Sequence, residues 1–121
     1  MQYMALIYAD EDGWGELSDE ERASWYARYR AFSEDARTAG VMVGGSELDA
    51  TRDATTVRVR DGETLVTDGP YAEVKEALGG YYLFECASIE DALGWAARIP
   101  GAEHGSIEVR PVYSDPTDPE V

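Results

Sequence analysis

The sequence predicts a mixed α+β domain with the element order β-α-β-hairpin-β-α-β. Three observations carry that expectation. Short runs rich in Tyr, Val, Ile and Leu alternate with two segments of helical period. A strong helix-start signal precedes the first helical segment. An Asp-Gly turn sits between two alternating runs in the middle of the chain.

Taken in order, 2–8 (QYMALIY) reads as a strand, and Asp10-Glu11-Asp12-Gly13 reads as the polar turn that ends it. Ser18-Asp19-Glu20-Glu21 has the S-x-x-E form of a capping box, with acidic residues filling the first turn. Trp25, Tyr29, Phe32, Ala36 and Ala39 then recur at steps of three and four, predicting an amphipathic helix of about 20 residues that stops at Gly40. A second strand is expected at 41–45 (VMVGG), where the glycines permit a bulge. The runs 55–60 (TTVRVR) and 63–67 (ETLVT) flank Asp61-Gly62 and form an inserted hairpin. A further strand is expected at 81–87 (YYLFECA). Ser88 caps a second helix, whose buried face is expected to be Ile89, Ala92, Leu93, Ala96 and Ile99, and Pro100-Gly101 ends it. The last strand spans 106–113 (SIEVRPVY). This is the split βαβ, or ferredoxin-like, arrangement with both helices on one face of an antiparallel sheet. The domain is expected over 1–113, with 114–121 (SDPTDPEV) as a disordered acidic tail.

With 121 residues, one domain with a real core is expected. The formal charge of −15, from 25 acidic against 10 basic residues, disfavours nucleic acid and anionic membrane surfaces as partners. No apolar run approaches the ~20 residues that span a bilayer, and the N-terminus lacks the basic and small-residue features of a signal peptide. A cytoplasmic location is the expectation. The single cysteine, Cys86, excludes an internal disulfide and reads as a buried, inert thiol. One His and one Cys do not make a zinc cluster. Phosphate-binding, dinucleotide and nucleophile-elbow motifs are absent, and no cofactor is expected.

The strand 81–87 has no polar side. Tyr82, Phe84 and Cys86 form one row, Tyr81 and Leu83 the other, with Glu85 as its charge. Strand 2–8 behaves alike. Helices cover one face of the sheet, so the other needs a cover of its own. A second copy, sheet on sheet about a two-fold axis, supplies it, and a homodimer enclosing a shared space is expected. Glu108 and Arg110 fall on this same face, either as an ion pair across the interface or as the lining of a polar pocket.

Several other residues have two readings. Asp68-Gly69-Pro70-Tyr71 reads as a turn, or as a carboxylate with an aromatic wall at the mouth of the shared space, with Asp68 as general base or ligand anchor. Lys75, the sole lysine, reads as a solvated partner of Glu73 and Glu76, or as a site for an anionic ligand group. His104, the sole histidine, reads as a surface-loop residue, or as a proton shuttle folded over the cleft. Trp14 is a pocket wall or the packing of a loop on a helix, and Tyr81 lines the enclosed space or packs in it.

The series LVTDGPYAE, K-E-x-L-G-G-Y-Y-L-F, A-L-G-W-A-A-R-I-P and S-I-E-V-R-P-V, with MQYMALIY and VMVGGSEL before it, resembles the DGPF-domain proteins of the YCII-related superfamily over roughly residues 1 to 113. Tyr71 stands where the name of that group expects Phe. The resemblance implies a dimeric α+β barrel and, for the wider superfamily, a His and an Asp in a cleft. Asp68 matches the Asp of the motif, but the first strand here ends in Tyr8-Ala9-Asp10-Glu11-Asp12, with no His. Two function classes follow. One is a binder of a small molecule at the dimer cleft, with weak enzymatic activity open. The other, implied by the resemblance, is a non-catalytic accessory protein linked to extracytoplasmic-function sigma-factor signalling.

Overall fold

The computed structural model describes residues 1–117. Of the expected tail, 118–121 lies outside the described residues. Within 114–117, Asp115 accepts hydrogen bonds from the backbone N–H and the hydroxyl of Thr117.

The chain forms a four-stranded antiparallel sheet in the order β2-β5-β1-β6, where β1 is Gln2–Ala9, β2 Met42–Glu47, β5 Ala77–Glu85 and β6 Ser106–Pro111. The hairpin of β3 (Thr55–Arg60) and β4 (Glu63–Asp68) is a separate two-stranded sheet. Helices α2 (Asp19–Thr38) and α3 (Ile89–Ala96) connect the strands, and a short helix, α1 (Glu11–Gly15), follows β1. This is the expected ferredoxin-like order with an inserted hairpin. Among the described residues no helix is long and apolar enough to cross a membrane.

Local signals explain most boundaries. The hydroxyl of Ser18 accepts from Glu21 N–H and the Glu21 carboxylate accepts from Ser18 N–H, a closed capping box for α2. Gly40, at φ 73°, turns the chain out of the helix. Asp61 and Gly62 both have positive φ, 51° and 78°, as the tight hairpin turn requires. The expected bulge in β2 lies between Met42 and Gly44.

Three elements differ from expectation. The turn after β1 is helical, because the Asp10 carboxylate accepts from Asp12 N–H and starts α1. Strand β5 begins at Ala77, four residues early, so Gly79 and Gly80 lie inside it. Gly80 is needed there: a Cβ would stand 2.9 Å from the Ser46 carbonyl oxygen of β2. Leu93 is exposed, and Trp95 takes its place beside the core. Ala92 and Ala96 centre the buried face of α3, and the helix leans toward Trp95, which reaches Phe32 at 6.1 Å between ring centroids.

The core lies between the helices and one sheet face. Tyr3 and Ala5 of β1, Tyr82 and Phe84 of β5, Phe32 and Ala36 of α2, Ala92 and Ala96 of α3, and Ile99 are buried together. Phe32 meets Tyr82 edge-on at 5.1 Å, and the Tyr82 hydroxyl hydrogen-bonds Ser33 at 3.0 Å. Fully burying a side chain such as Phe84 or Ile99 stabilises the fold by about 1.5–3 kcal/mol.

Candidate functional site

Directly paired residues in an antiparallel sheet share a face, so the register reads out the face that the helices leave bare. One row runs Gly44, Leu83, Met4, Arg110; the next runs Ser46, Tyr81, Leu6, Glu108. A third joins Leu78, Tyr8 and Ser106. Met4, Leu6, Tyr8, Tyr81 and Leu83 are only half-buried, and among the described residues no helix lies on them. Tyr81, Glu108 and Arg110, three of the residues singled out in the sequence, therefore converge on one apolar field. Glu108 and Arg110 make no ion pair with one another, and neither pairs elsewhere among the described residues. Arg110 also borders an open cavity of about 660 Å³ with Met1, Val112 and Tyr113.

Asp68 ends β4 opposite Thr55, exposed and without a side-chain hydrogen bond among the described residues. Gly69 follows with φ 94°. Its N–H donates to the Ala54 carbonyl at 2.7 Å, and its carbonyl accepts from the Thr56 hydroxyl at 2.8 Å, closing the base of the hairpin. The turn holds Asp68 at the mouth of the hairpin. Tyr71 is 81% exposed. Lys75 is exposed as well and forms no ion pair among the described residues. Glu76 reaches back to the Ser106 hydroxyl at 3.4 Å, which ties this segment to the start of β6 and the third row of the bare face.

His104 is held elsewhere. Its ring stacks on Trp25 of α2, centroids 4.9 Å apart, and Nδ1 lies 3.3 Å from the Gly101 carbonyl oxygen. The Arg28 guanidinium lies 4.6 Å from the centre of the same Trp25 ring and pairs with Glu103. No hydrogen bond joins His104 to Asp68. Trp14 packs edge-on to Tyr26 of α2 at 5.3 Å.

Two polar ties were not visible in the sequence. The Glu11 carboxylate accepts from the N–H and the hydroxyl of Thr51, at 2.8 and 2.7 Å, and the Tyr26 hydroxyl donates to Glu47 at 2.9 Å. Their partners are too far apart in the chain for any spacing rule to link them. Cys86 is buried; burial, with Asp91 and Glu85 nearby, pushes its thiol pKa up. Among the described residues no three His, Cys, Asp or Glu side chains converge as metal ligands.

Comparison with known proteins agrees with this architecture. A solved 5-chloro-2-hydroxyhydroquinone dehydrochlorinase, TftG, from Burkholderia phenoliruptrix AC1100, in complex with 2,5-dihydroxybenzoquinone, superposes with a TM-score of 0.54 over 98% of this chain and 99% of its own, at 13% identity. That likeness is one of fold, the dimeric α+β barrel type. An uncharacterised protein of Rhizobium meliloti (strain 1021) is 40% identical over 114 residues, 93% of this chain and 92% of that one. The profile of the YCII-related domain matches residues 1–114, so the succession of strands, helices and inserted hairpin traced above is that of a member of the YCII-related family.

Proposed function

We propose that this protein binds a small, planar, anionic molecule in the space enclosed when two copies turn their helix-free sheet faces together. The observation that carries the reading is the placement of Arg110 and Tyr81 in neighbouring rows of a half-exposed apolar field. Leu6, Leu83 and Tyr81 offer a surface to a ring, and Arg110, without an ion pair among the described residues of a chain of net charge −15, offers a bidentate contact to a carboxylate or enolate. A half-exposed apolar sheet face needs a cover in water, and a second copy is the simplest. Asp68, Tyr71 and Lys75 belong to the rim of that space on this reading, with Asp68 as ligand anchor or base. The complex of the TftG neighbour with a hydroxylated quinone is a precedent for such a ligand on this fold.

The test combines sedimentation with a thermal-shift screen of benzoates, hydroxybenzoates and hydroxyquinones. The expected result is a dimer at micromolar concentration and a shift of several degrees, since ligand at 100 times Kd stabilises by about 2.7 kcal/mol. Arg110→Ala abolishes the shift without lowering the unliganded midpoint. A monomer, or a shift that Arg110→Ala leaves intact, overturns the reading.

A further inference from the structure

The hairpin carries a second uncovered apolar surface. Cross-strand pairs Val59–Thr64, Val57–Val66 and Thr55–Asp68 share one of its faces. Val57, Val59 and Val66 are 61%, 60% and 64% exposed. The opposite face leans inward, with Thr56 and Arg58 half-buried. Three large β-branched side chains therefore point away from their own subunit, and Asp68 closes the same row of positions. Nothing within the described chain covers them.

The bare sheet face and the hairpin face fit one another. Each is three rows deep, about 13 Å from first to third at ~3.3 Å per residue. With Asp68 set on the row of Met4, Leu83 and Arg110, the Val57–Val66 pair faces the row of Leu6 and Tyr81, which ends on β6 in the exposed Glu108. The Val59–Thr64 pair then falls on the row of Tyr8 and Leu78. Charge selects the same alignment. Most of the surface of a chain with 25 acidic residues repels a carboxylate, whereas Arg110, at one edge of the bare face, is a cation without an ion pair among the described residues.

We infer that the β3–β4 hairpin crosses to a second copy of the chain, holds its valine face over the partner's bare sheet as the roof of the enclosed space, and brings Asp68 to the rim of that space beside the partner's Arg110. The inference rests on the dimer proposed above and completes its site. Arg110 and Tyr81 come from one subunit, and the carboxylate facing them comes from the other. Each enclosed space is then composite, and a lone subunit holds only half of its polar groups.

The experiment uses full-length chains carrying Asp68→Cys or Arg110→Cys, both exposed positions, mixed and oxidised, then separated on a non-reducing gel. The mixture is expected to yield a covalent dimer that neither variant forms alone; buried Cys86 stays unreacted in every sample. In parallel, Val57→Glu, checked for folding by circular dichroism, is expected to raise the dimer dissociation constant at least tenfold. A chain that sediments as a dimer but gives no cross-link in the mixture, or whose dissociation constant is unmoved by Val57→Glu, overturns the crossing hairpin and leaves the binding role standing. A wild-type chain that sediments as a monomer overturns both.

Discussion

Trp25 and His104 lie face to face, their ring centroids 4.9 Å apart and their planes 10° from parallel. The contact fastens the loop before β6 to the middle of α2, and the Arg28–Glu103 ion pair beside it ties the same two segments. Aromatic pairs of this kind contribute about 0.5–1.5 kcal/mol beyond their buried area. His104→Ala is expected to lower the urea-unfolding free energy by that amount and to leave the ligand-dependent thermal shift intact. A variant of unchanged stability that loses the shift would place His104 at the cleft instead.

Gly105 and Gly94 make a contrasting pair. A Cβ on Gly105 would stand 2.1 Å from the Tyr8 carbonyl oxygen, which belongs to the neighbouring strand and has no room to retreat. A Cβ on Gly94, inside α3, meets nothing within 4 Å. Gly105→Ala is expected to destabilise by about 1–3 kcal/mol, as overpacking does. Gly94→Ala is expected to stabilise by about 0.5–1 kcal/mol through helix propensity. Paired denaturation curves check both; equal effects of the two changes would contradict the close β1–β6 approach.

What the sequence disclosed follows the range of the interactions. Ser18 with Glu21, and Asp61 with Gly62, act within four residues, and both were legible. The bare face was legible too, because alternation in β1, β5 and β6 depends only on local pleat. Ala77 to Gly80 was not read as strand, since two glycines suppress strand propensity and the reason for Gly80 is a carbonyl on β2. The turn at Glu11–Gly15 was misread for a similar cause: two glycines masked a helix that the Asp10 side chain starts. That Tyr81, Glu108 and Arg110 share the helix-free face was legible from period alone. The environments of Asp68 and His104 depend on where a hairpin and a loop settle, which no period encodes.

The capping box gives an acid-side expectation. Bonds from Ser18 N–H and hydroxyl hold the Glu21 carboxyl below its ordinary value of 4.5. A lowered folded value means that the contribution is complete above the ordinary carboxylate range. It is lost as pH falls through the folded value. Glu21→Gln is expected to flatten this part of the stability profile between pH 5 and the acid limit, and Ser18→Ala to cost about 1 kcal/mol at neutral pH. Urea midpoints across that range check both. An acid-side slope identical in wild type and Glu21→Gln would remove the carboxylate from the account.

The alkaline side is governed by Tyr82 and Tyr29. Burial pushes both phenols above their ordinary value of 10.0, and for Tyr82 the hydrogen bond with Ser33 only partly offsets it. Burial also raises the Cys86 thiol above 9.0. In each case the unfolded chain releases its proton first. The contribution is therefore complete below the unfolded values and declines as pH climbs from about 9 toward the folded ones, at up to ~1.4 kcal/mol per pH unit for each group. Stability measured by urea at pH 8, 9, 10 and 11 is expected to be flat at first and then to fall with a steepening slope. Tyr26, raised by burial and its bond to Glu47, adds to the same decline, and Tyr82→Phe removes one of these four groups and with it part of the slope. It also leaves the Ser33 hydroxyl without this partner, so the neutral-pH midpoint should drop by about 1 kcal/mol. A profile that stays level to pH 11, or a Tyr82→Phe variant with an unaltered slope, would mean that the Phe32–Tyr82–Phe84 layer admits water and is not the dry core that supports the bare sheet above it.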